Sequence, residues 1–147
     1  MEKKIQYIWY FPQAPSEVWE CLSNKDLLSQ WLMTTDFEPE IGYQFKFYTK
    51  PKIKLGFDGI IYCKVLELIP QHKIVYSWRG GPGDGTVSLD TTVTWLLMPE
   101  GEGTKVTLIH DGFRGIRNLV SYFIMDKGWK YRIKKRLEKY LQEHEAK

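Results

Sequence analysis

The sequence has few cysteines, and neither they nor the histidines form a metal-binding pattern. Cys21 and Cys63 stand far apart, without CxxC spacing or a neighbouring histidine, which predicts reduced thiols rather than a disulfide or a metal site. The three histidines, His72, His110 and His144, are too scattered to suggest a metal centre. We therefore expect neither a metal nor another cofactor, and the reduced cysteines favour a cytoplasmic protein.

Segments that enter a membrane or hold a phosphate group are also lacking. The apolar stretch near the N-terminus is interrupted by Gln6, and the longest nearly apolar run, residues 119–125, is too short to span a bilayer. The glycine-rich stretch 80–85 fits neither a phosphate loop nor GxGxxG, so it is predicted to be a hairpin loop. GxSxG and HExxH are missing too. We expect no membrane insertion. Since these common enzyme motifs are absent, they identify no catalytic centre.

The sequence is rich in aromatic side chains and has a basic C-terminal part. Aromatics make up 15% of the 147 residues, with six Trp and nine Tyr, and such rigid surfaces suit a cavity wall as well as a core. From Arg114 onward, ten Lys or Arg stand against four Asp or Glu. A basic helix face attracts nucleic acid, anionic lipid or an acidic protein, although more often it is simply solvated. Because the pattern does not predict exposed aromatic side chains interleaved with these charges, as a single-strand-binding surface requires, we expect no nucleic acid partner.

Apolar residues at every second position predict a β-sheet. The pattern is clearest from Val87 to Leu97, where one face is mainly apolar and the other carries Ser, Asp and Thr. Alternation between turn signals predicts strands at 3–11, 43–50, 57–69, 73–79, 86–98 and 104–111, with a short extra strand near Phe37. The alternation in 57–69 is imperfect and predicts a β-bulge. These segments together predict one curved antiparallel sheet.

Helical periodicity predicts two short helices after the first strand and one long helix at the end. Pro15 suits the first turn of one short helix, and Asn24 suits the cap of the next. No proline occurs from 117 to 143, where apolar residues repeat at helical spacing: Trp129, Ile133, Leu137, Tyr140 and Leu141. Gly128 is the weak point, so residues 116–126 either continue this helix or form a separate or kinked piece.

Several short motifs follow one another in a recognisable order. They are Phe11-Pro12-Gln13-Ala14-Pro15, Ile74-Val75-Tyr76-Ser77-Trp78, the run from Gly103 to Phe113, and Gly128-Trp129 before the final helix. In this order, over essentially the full length, they resemble the domain family named after the activator of the heat-shock-protein-90 ATPase, within the START-like, or SRPBCC, superfamily. The superfamily includes lipid carriers, aromatic-polyketide cyclases and co-chaperones, so the resemblance does not fix a function.

The resemblance implies an α+β helix-grip fold. In that fold a curved antiparallel sheet wraps around a long C-terminal helix, with two short helices after the first strand and a hydrophobic cavity between sheet and helix. A single domain of this kind is expected over residues 1–147. The pair Cys63 and Lys64 departs from the small, glycine-containing step often seen in that strand. The segment between Phe113 and Gly128 looks longer and more apolar than the usual connection, which predicts a narrowed or lidded cavity.

The first functional hypothesis is binding of a small hydrophobic or amphipathic molecule between the sheet and the final helix. Inward-facing residues are predicted to contact it: Trp9, Phe45, Phe47, Tyr76, Trp78, Thr91, Trp95, His110, Phe113 and Trp129. The same residues also suit a closed core. Glu67, another candidate inward group, is predicted to face outward in a salt bridge.

His110 is the polar residue singled out in this set. Alternation with Val106 and Leu108 places it on the concave face, where an imidazole is either satisfied by its neighbours or available to a ligand or as a general base. Two alternatives stay open. One is a co-chaperone-like module, monomer or homodimer, that docks its basic C-terminal helix or its sheet surface on an acidic protein. The other is a cyclase-like or hydratase-like enzyme, which a carboxylate within hydrogen-bond reach of His110 in an open cavity would favour.

Overall fold

The computed structural model describes residues 2–115 and 117–144, and within them the chain forms a seven-stranded antiparallel sheet. The strands are β1 (Glu2–Phe11), β2 (Thr34–Thr35), β3 (Gln44–Tyr48), β4 (Ile60–Ile69), β5 (Lys73–Gly80), β6 (Leu89–Glu100) and β7 (Gly103–Arg114). Each strand from β2 to β7 pairs with the next one in sequence, and β1 pairs with β7. The predicted antiparallel sheet is confirmed, including the extra short strand, which lies at 34–35 rather than at Phe37 itself.

Four α-helices accompany the sheet in the described residues. The helices α1 (Pro15–Ser23) and α2 (Lys25–Trp31) follow β1, while α3 (Arg117–Lys127) and α4 (Lys134–Glu143) are joined by a π-helical segment, Gly128–Ile133. Backbone angles at Lys127, Ile133 and Lys134 are right-handed helical, so the three pieces form one continuous helix. Gly128 therefore marks a change in hydrogen bonding, not a break. Residue 116, where the separate piece was predicted to begin, lies outside the described residues.

Local sequence explains where α1 and α2 begin. Pro15 occupies the first turn of α1, where the missing N–H costs no hydrogen bond. The side-chain oxygen of Asn24 accepts from the backbone N–H groups of Asp26, at 2.9 Å, and Leu27, at 3.4 Å. The indole Nε1 of Trp31 donates to the backbone carbonyl of Cys21 at 2.9 Å, which ties α2 to α1. Both predicted helix starts are confirmed.

Two strands begin later than alternation predicts, because turns replace their first residues. Residues 53–55 form a 3₁₀ turn closed by a bridge between Lys52 and Phe57, and Gly56 and Gly59 follow with φ of 70° and 90°. β4 therefore starts at Ile60 rather than at residue 57. Likewise the loop 81–88 delays β6 to Leu89, and its Gly83 and Gly85 have φ of 96° and 92°. Positive φ at these glycines ends the extended pattern locally.

The irregular alternation of β4 reflects a bulge, as predicted. The register against β5 shifts between Val65 and Glu67, so the inward face changes from odd to even positions. Val65 is buried before the shift, and Leu68 packs against the core after it. Glu67 turns outward and forms a salt bridge with Lys73 at 2.6 Å, which confirms its predicted outward orientation.

The long helix packs across the concave face of the sheet through one apolar stripe. Its buried members lie one helical turn or so apart: Trp129, Ile133, Leu137 and Leu141. Just before this stripe, the Tyr7 hydroxyl of β1 donates to a carboxylate oxygen of Asp126. Burial together with this hydrogen bond raises the pKa of Tyr7. A curved sheet that grips a long helix is the helix-grip fold. No helix in the described part of the chain is long and apolar enough to cross a membrane.

Candidate functional site

A partly open cavity of about 180 Å³ lies between the long helix and one end of the sheet. Four parts of the chain surround it: the residues after α2, the turn 49–57, the β5–β6 connection, and the helix from Ser121 to Arg136. The sheet side is formed by Ile61 and Trp78, which are only 5% and 1% exposed. One end of the cavity therefore lies in the core, and the other end is open to solvent.

Apolar side chains form most of the inner wall. They come from separate elements, which only the fold brings together: Leu32, Met33, Phe57, Ile61, Trp78, Leu89, Ile124, Met125 and Ile133. Small groups, among them Gly80, Gly81 and Ser88, line the part beside the β5–β6 loop. A Cβ added at Gly81 would meet the Thr86 carbonyl oxygen at 2.0 Å, so this loop can close only with glycine there. An apolar concave surface with a few polar groups is typical of small-molecule sites.

The π-helical segment shapes the helix side of this cavity. The N–H of Lys134 donates to the carbonyl of Trp129, five residues earlier, so the turn is wider than an α-helical one. Gly128 and Ile133 face the cavity, while Trp129 is fully buried and turns to the sheet. Single π turns inside α-helices occur frequently at functional sites.

Three cationic side chains border the cavity. Arg132 and Arg136 come from the helix, and Lys52 comes from the turn before β4. All three are exposed. Among the described residues that line the cavity there is no Asp or Glu. The entrance is therefore positively charged, whereas the deep end is apolar.

His110 lies in the core and not on the cavity wall. Its Nδ1 accepts from Trp129 Nε1 at 3.1 Å, and its Nε2 is 2.8 Å from the Thr91 hydroxyl oxygen. Thr91 in turn donates to the Trp78 carbonyl at 2.8 Å. Since Trp129 can only donate and the Thr91 hydrogen is used by Trp78, the imidazole must carry its hydrogen on Nε2. The three side chains form one satisfied chain of hydrogen bonds.

Burial keeps this imidazole neutral. His110 is completely buried, and burial lowers its pKa from the ordinary 6.5 to about 3. In the part of the chain that the structure describes, its side-chain hydrogen-bond partners are Thr91 and Trp129, and neither is a carboxylate. Both ring nitrogens are engaged, so the geometry fits the structural interpretation of His110 and offers no free nitrogen for a general base.

The ten residues predicted to contact a ligand form a close-packed aromatic core, and Trp78 is the member that also lines the cavity. Trp95 packs against the rings of Trp9, Trp31 and Trp129, with centroids 5.6–6.3 Å apart, and its Nε1 donates to the Tyr76 hydroxyl at 2.9 Å. The other aromatic members, Phe45, Phe47 and Phe113, also have ring neighbours within 6 Å. Thr91 and His110 join them through the hydrogen bonds above. Direct ligand contact by the nine residues away from this cavity stays a prediction.

Both cysteines are free and buried. Burial raises the pKa of the Cys21 thiol to about 12, and burial raises the pKa of Cys63 as well. Neither lines the cavity, and protonated thiols are poor nucleophiles and poor metal ligands. Within residues 2–115 and 117–144 no three His, Cys, Asp or Glu side chains are grouped so as to hold a metal ion.

The family model described as activator of Hsp90 ATPase homolog 1-like protein matches residues 12–142. The chain belongs to this START-like family. Protein MLL2253 from Mesorhizobium loti has a similar crystal structure, with a TM-score of 0.84, 25% identity, and coverage of 98% of this chain and 100% of that one. A comparison with curated protein sequences finds no match.

Two further solved structures share the fold at lower identity. Protein BH1534 from Bacillus halodurans is 24% identical, with a TM-score of 0.72 over 94% of this chain and 96% of that one. The Aha1 dimer from Colwellia psychrerythraea is 16% identical, with a TM-score of 0.69 over 90% of this chain and 92% of that one. At these identities the likeness concerns the fold alone. Family and fold are consistent with ligand binding and with a cyclase-like function.

Sequence reasoning revealed only part of the described cavity lining, namely Trp78 and the segment between Phe113 and Gly128. Gly80, Gly81 and Ser88 belong to a stretch predicted only to be a hairpin loop, and Arg132 and Arg136 belong to a basic face predicted to be solvated. Gly128, a glycine inside a helical pattern, also pointed here, since open space beside a helix is one reason for such a residue.

Proposed function

We propose that this chain binds a small hydrophobic or amphipathic molecule in the cavity between the long helix and the β4–β6 end of the sheet. The observation that carries the proposal is an apolar, partly open cavity of about 180 Å³ in a core that is otherwise densely packed with aromatic rings. An apolar cavity of roughly 150 Å³ is enough to bind benzene in an engineered case. The ligand, or the part of it that enters, is therefore about as large as one aromatic ring or a short alkyl chain.

Native mass spectrometry of the protein isolated from its own host tests this proposal directly. We expect a retained small molecule, which a denaturing solvent releases and whose mass identifies the chemical class. A second measurement, titration with small apolar probes, locates the site. Ile124→Trp fills the cavity from α3 and should abolish saturable binding, because Ile124 lines it.

Val120→Trp is the matched control for that variant. Val120 lies one turn earlier on α3, is 52% exposed and does not line the cavity, so the same substitution should leave probe affinity within about twofold of wild type. Equal loss of binding in both variants, or a folded wild-type protein that binds no probe and retains no molecule, would contradict the proposal.

Catalysis by His110 is not part of the proposal. Trp129 occupies Nδ1, Thr91 occupies Nε2, and the imidazole lies off the cavity wall. A ligand in this cavity would reach Trp78, whose backbone carbonyl ends the hydrogen-bond chain, before it reached the imidazole. The bound molecule is thus held, with no acid or base of this network placed to transform it.

Docking on an acidic protein is the second candidate function. Lys135 and Lys139 are exposed on α4, and within the described residues the ion pair of Lys139 is a long one, 3.8 Å to Glu143. A solvated pair of this kind contributes little to stability, so both lysines are available to a partner. Light scattering would show whether the chain is a monomer or a homodimer, and Lys135→Glu with Lys139→Glu should weaken binding to an acidic partner.

A further inference from the structure

We infer that the molecule bound in this cavity carries an anionic group, so that the ligand class is a small amphipathic acid with one ring or a short alkyl chain as its apolar part. The inference rests on the proposed function and adds the polar end of the ligand to it. It depends on how charge is distributed along the cavity, from the buried wall to the entrance.

The deep end of the cavity suits an apolar body. Ile61, Trp78 and Ile133 form it, and none of these side chains is more than 6% exposed. An ionised group placed there would lose its hydration without gaining a charged partner, which is strongly unfavourable. A charged end of the ligand must therefore lie at the entrance.

The entrance is lined by cations only. Arg132 and Arg136 are four residues apart on the helix and so lie on the same side of it, and Lys52 stands on the turn of the opposite wall. No salt bridge or side-chain hydrogen bond to these three side chains is formed within the described residues. By contrast, Lys134 and Lys139 on the same helix face Glu138 and Glu143. The three cations at the cavity are thus unpaired within the described residues, and unlike Lys127 and Lys135, which also form no ion pair there, they border the cavity.

Arginine is well suited to a carboxylate at such a place. Its planar guanidinium donates two parallel hydrogen bonds to the two oxygens, and the pair is partly shielded from water when the ligand body closes the cavity. Two arginines and a lysine around one entrance also create a positive electrostatic potential. This potential attracts an anion, but not a neutral head group, before any hydrogen bond forms. A neutral alcohol of the same size would fill the apolar end equally well but leave these cations solvated.

Matched acids and alcohols test the inference. The ligands are hexanoate, octanoate and benzoate, each paired with the alcohol of the same carbon skeleton, and isoleucine methyl groups report binding by NMR titration at pH 7.4. Ile61, Ile124 and Ile133 line the cavity, and Ile8, which is 47% exposed elsewhere, is the internal reference. We expect each acid to bind at least about tenfold more tightly than its alcohol. Raising the salt concentration should weaken the acids and not the alcohols.

Two double variants test whether the preference for acids over alcohols depends on the arginines at the entrance. Arg132→Gln with Arg136→Gln should reduce the acid-over-alcohol ratio at least threefold without changing alcohol binding. Lys127→Gln with Lys130→Gln removes two exposed charges from the same helix away from the cavity, and should leave the ratio unchanged.

The possible failures are distinguishable. Equal affinity for acids and alcohols, or a ratio that the arginine variants do not lower, would overturn the anionic ligand while leaving a binding cavity in place. If no ligand of either kind shifts the three cavity methyl groups, the cavity is not a binding site, and the proposed function fails together with this inference.

Discussion

His110 is a polar side chain in a core of aromatic rings, and its neighbours determine its chemistry. The Trp129 indole and the Thr91 hydroxyl satisfy both ring nitrogens, so burial costs no hydrogen bond. A positive charge there would have no anionic partner, and burial accordingly lowers the pKa of His110 to about 3. The residue orients Trp129 and Trp78, and through Trp78 it supports one wall of the cavity.

The pH dependence of stability follows from this pKa. Below pH 6.5 the unfolded chain binds a proton at His110 that the folded protein cannot bind until the pH approaches 3. The free energy of unfolding therefore falls as the pH is lowered through this window, by at most about 1.4 kcal/mol per pH unit from this group. Above pH 6.5 the group contributes no pH dependence.

His110→Gln isolates that contribution. The variant loses part of the hydrogen-bond chain and should be less stable at pH 7, by about 1–3 kcal/mol. Because glutamine does not titrate, we expect the stability gap between wild type and variant to shrink from pH 6.5 to pH 4.5, as measured by urea unfolding at several pH values. Other titrating groups contribute equally to both proteins. A constant gap over this range would mean that the folded protein accepts the proton.

At the scale of elements, the π-helical segment is where helix and cavity meet. Gly128 has a helical backbone and a buried position, and an added Cβ would meet Arg132 Nη2 at 3.4 Å. Glycine in a helix is less favourable than alanine by about 0.5–1 kcal/mol. Glycine at position 128 therefore lowers the stability of the helix. The proposed ligand-binding role gives a reason for a residue that leaves the space beside it open.

Gly128→Ala should raise the free energy of unfolding by about 0.5–1 kcal/mol and weaken probe binding, because the new methyl group enters the cavity. Denaturant unfolding and probe titration measure the two effects. Gly101→Ala is the control: Gly101 has φ of 60° in the β6–β7 turn with open space around it, so the same change there should lower stability by about 1–2 kcal/mol. A destabilised Gly128→Ala would show that the π-helical turn itself requires glycine.

At the scale of the whole molecule, pairing of the first strand with the last one joins the two ends of the sheet-forming sequence. β1 pairs with β7 along its entire length, across about a hundred residues of sequence, and it carries buried Ile5 and Trp9. Contacts of such separation cost loop-closure entropy, which burial of the strand's apolar face must offset. The N-terminal strand is therefore an integral part of the core.

Deletion of residues 2–10 should prevent cooperative folding, because it exposes the β7 edge and removes Ile5 and Trp9 from the core. Near-ultraviolet circular dichroism and a thermal melt test this. As a control, Ile8→Thr with Tyr10→Thr changes only the exposed face of β1, where the side chains are 47% and 60% exposed, and should keep the fold. A truncated protein that melts sharply, within a few degrees of wild type, would contradict the prediction.

The sequence by itself determined the type and order of the elements. Alternation and helical spacing are local properties of the chain, so the sheet, the two short helices, the β4 bulge and the apolar stripe of the long helix could all be predicted from them. Pattern also places His110 and Trp95 on inward faces. The boundaries at β4 and β6 could not be predicted, because positive-φ glycines and the Lys52–Phe57 bridge decide them.

Only the tertiary structure decided which inward residues face one another and where space is left. Alternation predicts that a side chain points inward, but it does not predict whether another ring fills the volume beside that side chain. Beside Trp95, the rings of Trp9 and Trp31 fill this volume. The cavity lies instead where the turn 49–57, the β5–β6 loop and the π-helical segment meet, and these parts are far apart in sequence. Its position depends on packing between distant segments, and no local pattern records such packing.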